Sequence, residues 1–131
     1  MTKAGFDKSG NTGFTHLVNA TIFSFQGLKT AFQSESAFRQ ELAMLCVVLP
    51  SGFWLADSLV LSLALFFACM LVLIVELLNS SIEAAIDRIG LEEHDLSRKA
   101  KDLGSAAVMI SLILAGSVWF YILFTVYIRL S

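Results

Sequence analysis

Eighteen consecutive residues, Ser58–Val75, carry no charge, and the next residue is Glu76. An uncharged apolar run of that length is a candidate membrane-spanning helix. Hydrophobic residues make up 56% of the 131-residue chain and its mean hydropathy is +0.75. A single soluble domain of this size has too much surface per unit volume to hide so many apolar side chains. The chain therefore reads as one all-α integral membrane domain.

The flanking segments follow the same logic. Residues 1–11 are poor in apolar side chains, lack the apolar stretch and cleavage site of a signal peptide, and are expected to be a disordered tail. From about 12 to 34, Phe14, Leu17, Val18, Ile22, Phe25, Leu28 and Phe32 recur at helical spacing. His16, Asn19, Gln26 and Gln33 break up the stripe, so this helix should lie in the membrane interface. A first span covers about 37–56, with Arg39 and Glu41 at its polar edge and Pro50 as a kink or a loosened end. A tight hairpin at Asp57 leads to the second span, about 58–76, which continues as a helix to about 89, where Gly90 can cap it. A polar link follows, with Ser97 as a possible N-cap, and a third span covers about 105–128. Ala106, Ala107, Ser111 and Gly116 offer small residues for close helix packing in that span. Cys46 and Cys69 read as buried small hydrophobes.

Basic residues set an orientation. Lys3, Lys8, Lys29, Arg39, Arg88, Arg98, Lys99 and Lys101 fall on one side of the spans, and only Arg129 on the other. The positive-inside rule puts the N-terminus and the link in the cytoplasm, with the hairpin and C-terminus outside. The net charge of −2 and the lack of a basic face argue against nucleic acid.

The chemistry lies in the second helix. At 100° per residue, Glu76, Ser80, Glu83 and Asp87 share one stripe, flanked by Asn79, while Leu77, Leu78, Ile82 and Ile86 take the other faces. Acids at membrane depth are costly and point to function. Glu76 lies about 10 Å deeper than Glu83 along the helix axis. A poorly solvated carboxylate is a stronger base, suited to taking a proton from an alcohol. A shallower one, joined by Glu35 at the end of the surface helix, suits Mg2+. Lys101 and Asp102 read either as contacts to nucleotide phosphate and Mg2+ or as a snorkelling pair at a helix start. No P-loop, GxGxxG or soluble protein-kinase motif is present, and His16 and His94 stand too far from other ligands to suggest zinc.

ELLNSSIEAAIDRIG (76–90), followed by EEHDLSRKAKDLGSAA (92–107), resembles the prokaryotic diacylglycerol kinase family. NTGFTHLVNATIFSFQGLKTAF (11–32) and ESAFRQE (35–41) resemble its surface helix and the approach to its first span. The resemblance implies a three-span homotrimer in the bacterial inner membrane, with active sites shared between subunits. It also implies transfer of the ATP γ-phosphate to diacylglycerol, yielding phosphatidic acid, with Mg2+ as cofactor.

By position, the resemblance makes Glu76 the general base and Glu35 and Glu83 the metal ligands. His16, Phe23, Glu35, Glu83, Glu92, Glu93, His94, Lys101 and Asp102 become nucleotide contacts. Ala37, Phe38, Arg39, Gln40, Glu41, Glu76 and Ser105 face the lipid, and Asn79, Ser24 and Phe25 support the site. Departures lie in the surface helix: His16 stands where members often carry Arg, and Phe23 and Phe25 where Tyr and Trp are common. Undecaprenol kinases of the same family are the nearest alternative. A small membrane transporter is more distant, since its acid would lie mid-span in a four-helix protomer.

Overall fold

The computed structural model describes residues 13–90 and 92–131, whose regular structure is entirely helical: α1 Phe14–Ser34, α2 Ser36–Leu55, α3 Leu59–Ile89 and α4 Asp95–Leu130. The expected disordered tail and Thr12 lie outside the described residues. The chain divides into two compact units, Met1–Ser34 and Glu35–Ser131.

Helix α1 follows Gly13, whose φ of +63° is a left-handed turn that a side chain would strain. Its apolar residues Phe14, Leu17, Val18, Ile22, Phe25, Leu28 and Phe32 are all exposed. Thr21, Ser24 and Ser34 turn their hydroxyls back onto carbonyls four residues earlier, which satisfies polar groups within the helix itself.

In the second unit, α2 and α3 are joined by only Ala56, Asp57 and Ser58, so they run antiparallel. Ser58 caps α3, its hydroxyl accepting from the Leu61 N–H at 3.2 Å. Helix α2 passes through Pro50 and continues to Leu55, so proline does not end it. Next to the lost donor, the Ser51 hydroxyl bonds the Val47 carbonyl. Gly90 is the C-cap of α3, but at φ 174° its backbone is extended, a conformation open to any residue.

Helix α4 starts earlier than the Ser97 cap implies. His94 is its N-cap, with Nδ1 accepting from the Leu96 N–H at 3.2 Å. The imidazole supplies the same acceptor that a serine would, three residues sooner.

Helix α3 packs most extensively on α4, next on α2, while α2 and α4 touch least. Two contacts between distant segments fix the directions. Arg129 Nη2 donates to the Leu55 carbonyl at 2.9 Å, placing the end of α4 beside the hairpin. Lys101 Nζ pairs with Asp87 Oδ1 at 2.7 Å, joining α4 to α3 at the opposite, charge-rich end.

The core is Leu45, Leu65, Cys69 and Ile122, with Val118 and Trp119 packed against it. Cys46 is exposed while Cys69 is buried, correcting half of the cysteine expectation: Leu45 takes the inward position, and the next residue on a helix is turned about 100° away. Close approach occurs at Gly52, where a Cβ would fall on Leu65 and lie 2.8 Å from the Trp119 ring. By contrast Gly116 has open space around it; of the four small residues expected to draw α4 in, only Ser111 is buried, joined by Gly104, which was not among them.

Helices α3 and α4 are long and apolar enough to cross a membrane; α2 falls short of that measure. Large apolar residues such as Phe67, Ile74, Ile110, Ile113 and Phe120 point outward from α3 and α4.

Candidate active site

The uncharged half of α3 ends on a buried acid. Glu76 is only 4% exposed, and Glu41 of α2 only 7%. Glu83 and Glu35 act electrostatically on Glu76, and Glu76 in turn acts on Glu41. Four carboxyl groups from α2, α3 and the cap of α2 thus gather where apolar helix gives way to polar. Glu35 is the N-cap residue of α2, in extended backbone, and its side chain does not cap its own helix. Close like charges raise each other's energy, which favours an arrangement completed by protons or a cation.

One turn from Glu76, Asn79 Nδ2 donates to Glu83 Oε1 at 3.2 Å. This i,i+4 pair orients the Glu83 carboxylate. The Asn79 oxygen is buried and has no hydrogen-bond donor. Glu41 Oε2 is likewise buried and without a partner.

Beyond Glu83, the end of α3, the link and the start of α4 enclose a cavity of about 460 Å3. Its walls include Asp87, Glu92, Glu93, His94, Asp95, Ser97, Arg98, Lys101 and Asp102. His94 spends Nδ1 on the helix cap, so Nε2 is the nitrogen left for a ligand. Lys101 is bonded to Asp87 of α3 and not to its neighbour Asp102. Adjacent helical residues point about 100° apart, so Lys101 reaches across to α3 and not to its neighbour. Arg98 pairs with Asp95 at 3.2 Å on a highly exposed surface.

A second cavity, about 190 Å3, lies among α2, α3 and α4. It is lined by Met44, Leu45, Val48, Cys69, Val72, Leu112, Ala115, Gly116 and Trp119, with Glu41 its one charged residue. The chain therefore carries a polar cavity and an apolar one on either side of the acids.

The residues expected from the sequence divide accordingly. Glu92, Glu93, His94, Lys101 and Asp102 share the polar cavity. Glu35, Glu41, Glu76 and Glu83 form the acidic group, with Asn79 bonded into it. Of the stretch assigned to lipid, Phe38 and Glu41 are buried whereas Ala37, Arg39 and Gln40 are exposed, as is Ser105. His16, Phe23, Ser24 and Phe25 are exposed positions of α1, and the Ser24 hydroxyl is held by the Ala20 carbonyl.

Ser97 and Arg98 line the polar cavity but were not singled out as ligands by sequence. Their spacing held the signal: Ser97 and Lys101 stand at i,i+4, and Arg98 and Asp102 likewise, so this turn of α4 presents neighbouring polar faces.

Among the described residues, no three His, Cys, Asp or Glu side chains converge into a preformed metal cage. The carboxylates of Glu35 and Glu83 are hard oxygen donors, the ligand type that Mg2+ takes alongside phosphate oxygens and water.

Residues 22–123 match the family model described as prokaryotic diacylglycerol kinase. The chain is 48% identical over 113 residues to the diacylglycerol kinase of Haemophilus influenzae, covering 86% of this chain and 96% of that one. It is 44% identical over 117 residues to that of Escherichia coli K12, covering 89% and 96%. With the diacylglycerol kinase of Pseudomonas aeruginosa it shares 45% identity over 114 residues, covering 87% and 93%. A match over most of the chain, including the acidic face of α3 and the polar cavity beside it, means that this chain belongs to the prokaryotic diacylglycerol kinase family.

Proposed function

We propose that this chain phosphorylates diacylglycerol at the cytoplasmic face of the bacterial inner membrane, with ATP as donor and phosphatidic acid as product. The observation that carries the reading is Glu76, buried at the boundary between the uncharged half of α3 and its polar half. Burying an acid there costs a few kcal/mol, which a packing role does not repay. A lipid hydroxyl at headgroup level meets this carboxylate, and acyl chains are suited to the apolar cavity below Glu41.

Glu76 takes the hydroxyl proton as the alcohol oxygen attacks the γ-phosphorus, and ADP leaves. Glu35 and Glu83 would hold a Mg2+ that neutralises charge on the phosphate oxygens. Asn79 fixes the Glu83 carboxylate, while Lys101, Arg98 and His94 line the space for the phosphates and nucleotide. Phosphoryl transfer depends mainly on positioning and charge neutralisation, so a site without a P-loop suffices.

The same reading has α2, α3 and α4 as three spans, with the N-terminus cytoplasmic and the C-terminus outside. The single charge-rich end of the bundle and the basic-residue asymmetry support that orientation. The outward apolar faces of α3 and α4 support burial in lipid and in a homotrimer that completes each site.

The test is a mixed-micelle assay with labelled ATP and a panel of diacylglycerol, polyprenol and no lipid. Label in phosphatidic acid is expected. Label in the polyprenol alone moves the assignment to the undecaprenol kinases, and label in no lipid overturns it.

A further inference from the structure

The glycine of the KDLGSAA stretch (101–107) takes no part in the chemistry above, and helical backbone does not call for it. Gly104 lies inside α4, where glycine is the least favourable residue short of proline. Its reason is therefore in the packing. A Cβ at this position would land on Asn79 Oδ1 and stand 3.3 Å from Asn79 Cγ. The hydrogen that occupies that direction instead points at Oδ1, a Cα–H···O contact of the kind found where helices approach closely. That oxygen is buried and has no other donor.

The far side of the same amide donates to Glu83 Oε1. Asn79 is thus wedged between the α4 backbone and the Glu83 carboxylate, oxygen toward the glycine and NH2 toward the acid. The reverse orientation would set two oxygens against each other. We infer that Gly104 is a positioning residue for the phosphoryl-transfer site: the space it leaves on α4 seats Asn79, and Asn79 sets the Glu83 carboxylate toward the cation. This rests on the proposal that Glu83 holds Mg2+.

A methyl at 104 must either rotate Asn79 away or part α3 from α4. About one turn away, the Lys101–Asp87 pair ties the two helices together, so rotation of the amide is the easier response. Rotation withdraws Nδ2 from Glu83. Loss of an outer partner of this type typically costs about 10–100-fold in metal affinity.

The test is a double-mutant cycle on the full chain in detergent micelles, using Gly104→Ala, Asn79→Ala and both together. Mn2+ binding is read by EPR with a non-hydrolysable ATP analogue and no lipid. Gly104→Ala is expected to weaken Mn2+ about tenfold, and to raise half-saturating Mg2+ in the kinase assay similarly while KM for lipid stays unchanged. In the double variant the two closest atoms are gone and the Cβ at position 79 lies 3.8 Å from the added methyl, an ordinary contact, so it should match Asn79→Ala within about twofold. Unchanged Mn2+ affinity in Gly104→Ala, or effects that add in full, overturns the inference. If Gly104→Ala unfolds while the double variant folds and matches Asn79→Ala, the wedge is upheld; if both unfold, Gly104 is a packing residue only. A wild type that phosphorylates no lipid overturns the proposed function, whereas the Mn2+ cycle is read without turnover and judges Gly104 by itself.

Discussion

Replacing Glu76 with glutamine separates a catalytic acid from a structural one, because the two roles predict opposite changes in stability. The side chain is 4% exposed and the amide is nearly isosteric, so packing is preserved. Around it act Glu83 and Glu35, and it acts on Glu41; a neutral amide removes one member of a crowded acidic group. Thermal stability is therefore expected to stay level or rise. Were Glu76 instead one half of a buried structural ion pair, its loss would cost about 3–5 kcal/mol.

Catalysis should move the other way. Removing a general base costs at least about 10²-fold, or about 2.7 kcal/mol of barrier height. The assay is lipid phosphorylation, run beside nucleotide binding and thermal unfolding on the same preparations. Glu76→Asp should retain more activity than Glu76→Gln, since it keeps a carboxylate with a shorter reach. Near wild-type turnover in Glu76→Gln refutes the base assignment. A fall in stability that parallels the fall in activity refutes the separation of roles.

Glu35→Gln and Glu83→Gln should each raise the Mg2+ requirement in folded protein, because each removes a hard oxygen ligand; flat Mg2+ titrations in both would remove them from the metal site. Gly52→Ala should destabilise the α2–α4 unit by about 1–2 kcal/mol, an overpacking cost of ~1–3 kcal/mol less up to ~1 kcal/mol of helix propensity. Unfolding in detergent measures it, and unchanged stability would mean that Leu65 and Trp119 yield freely. Mixing subunits inactivated at Glu76 with subunits inactivated at Lys101 should restore activity if composite sites draw the two residues from different chains; no recovery in fully mixed oligomers favours sites within one chain. Cysteine labelling at position 57 should succeed only from outside the cell, and labelling only from the cytoplasm would invert the topology.

Much of the candidate site could be read from spacing. Eighteen uncharged residues followed by Glu76 mark an acid held at the edge of an apolar helix, and the seven-residue step to Glu83 fixes a shared face, since both follow from helical repeat alone. Glu92, Glu93 and His94 came from family resemblance alone, while Lys101 and Asp102 already stood out as a charged pair at a helix start; the structure brings all five to one cavity because α3 and α4 reverse direction across a short link.

Contacts between helices were not legible in that way. The sequence could not say that Lys101 bonds Asp87 rather than lying along its own helix with Asp102, because the choice depends on how α3 and α4 meet. The same holds for Gly52 and Gly104: a glycine in a helical pattern looks like a weak point until a neighbour is seen in the space of its missing Cβ. Glu41 is similar. The family resemblance implied a lipid contact for it, but its burial and its unpartnered oxygen come from the packing of α2 on α3.

Helical periodicity and hydropathy are properties of local chain, so the sequence alone determines the helices, the order of the acids along them and the face they share. Which side chains fill the space between helices depends on crossing geometry and side-chain volume summed over three segments. Only the tertiary structure decided that Cys69 rather than Cys46 enters the core and that Asn79 is held between Gly104 and Glu83.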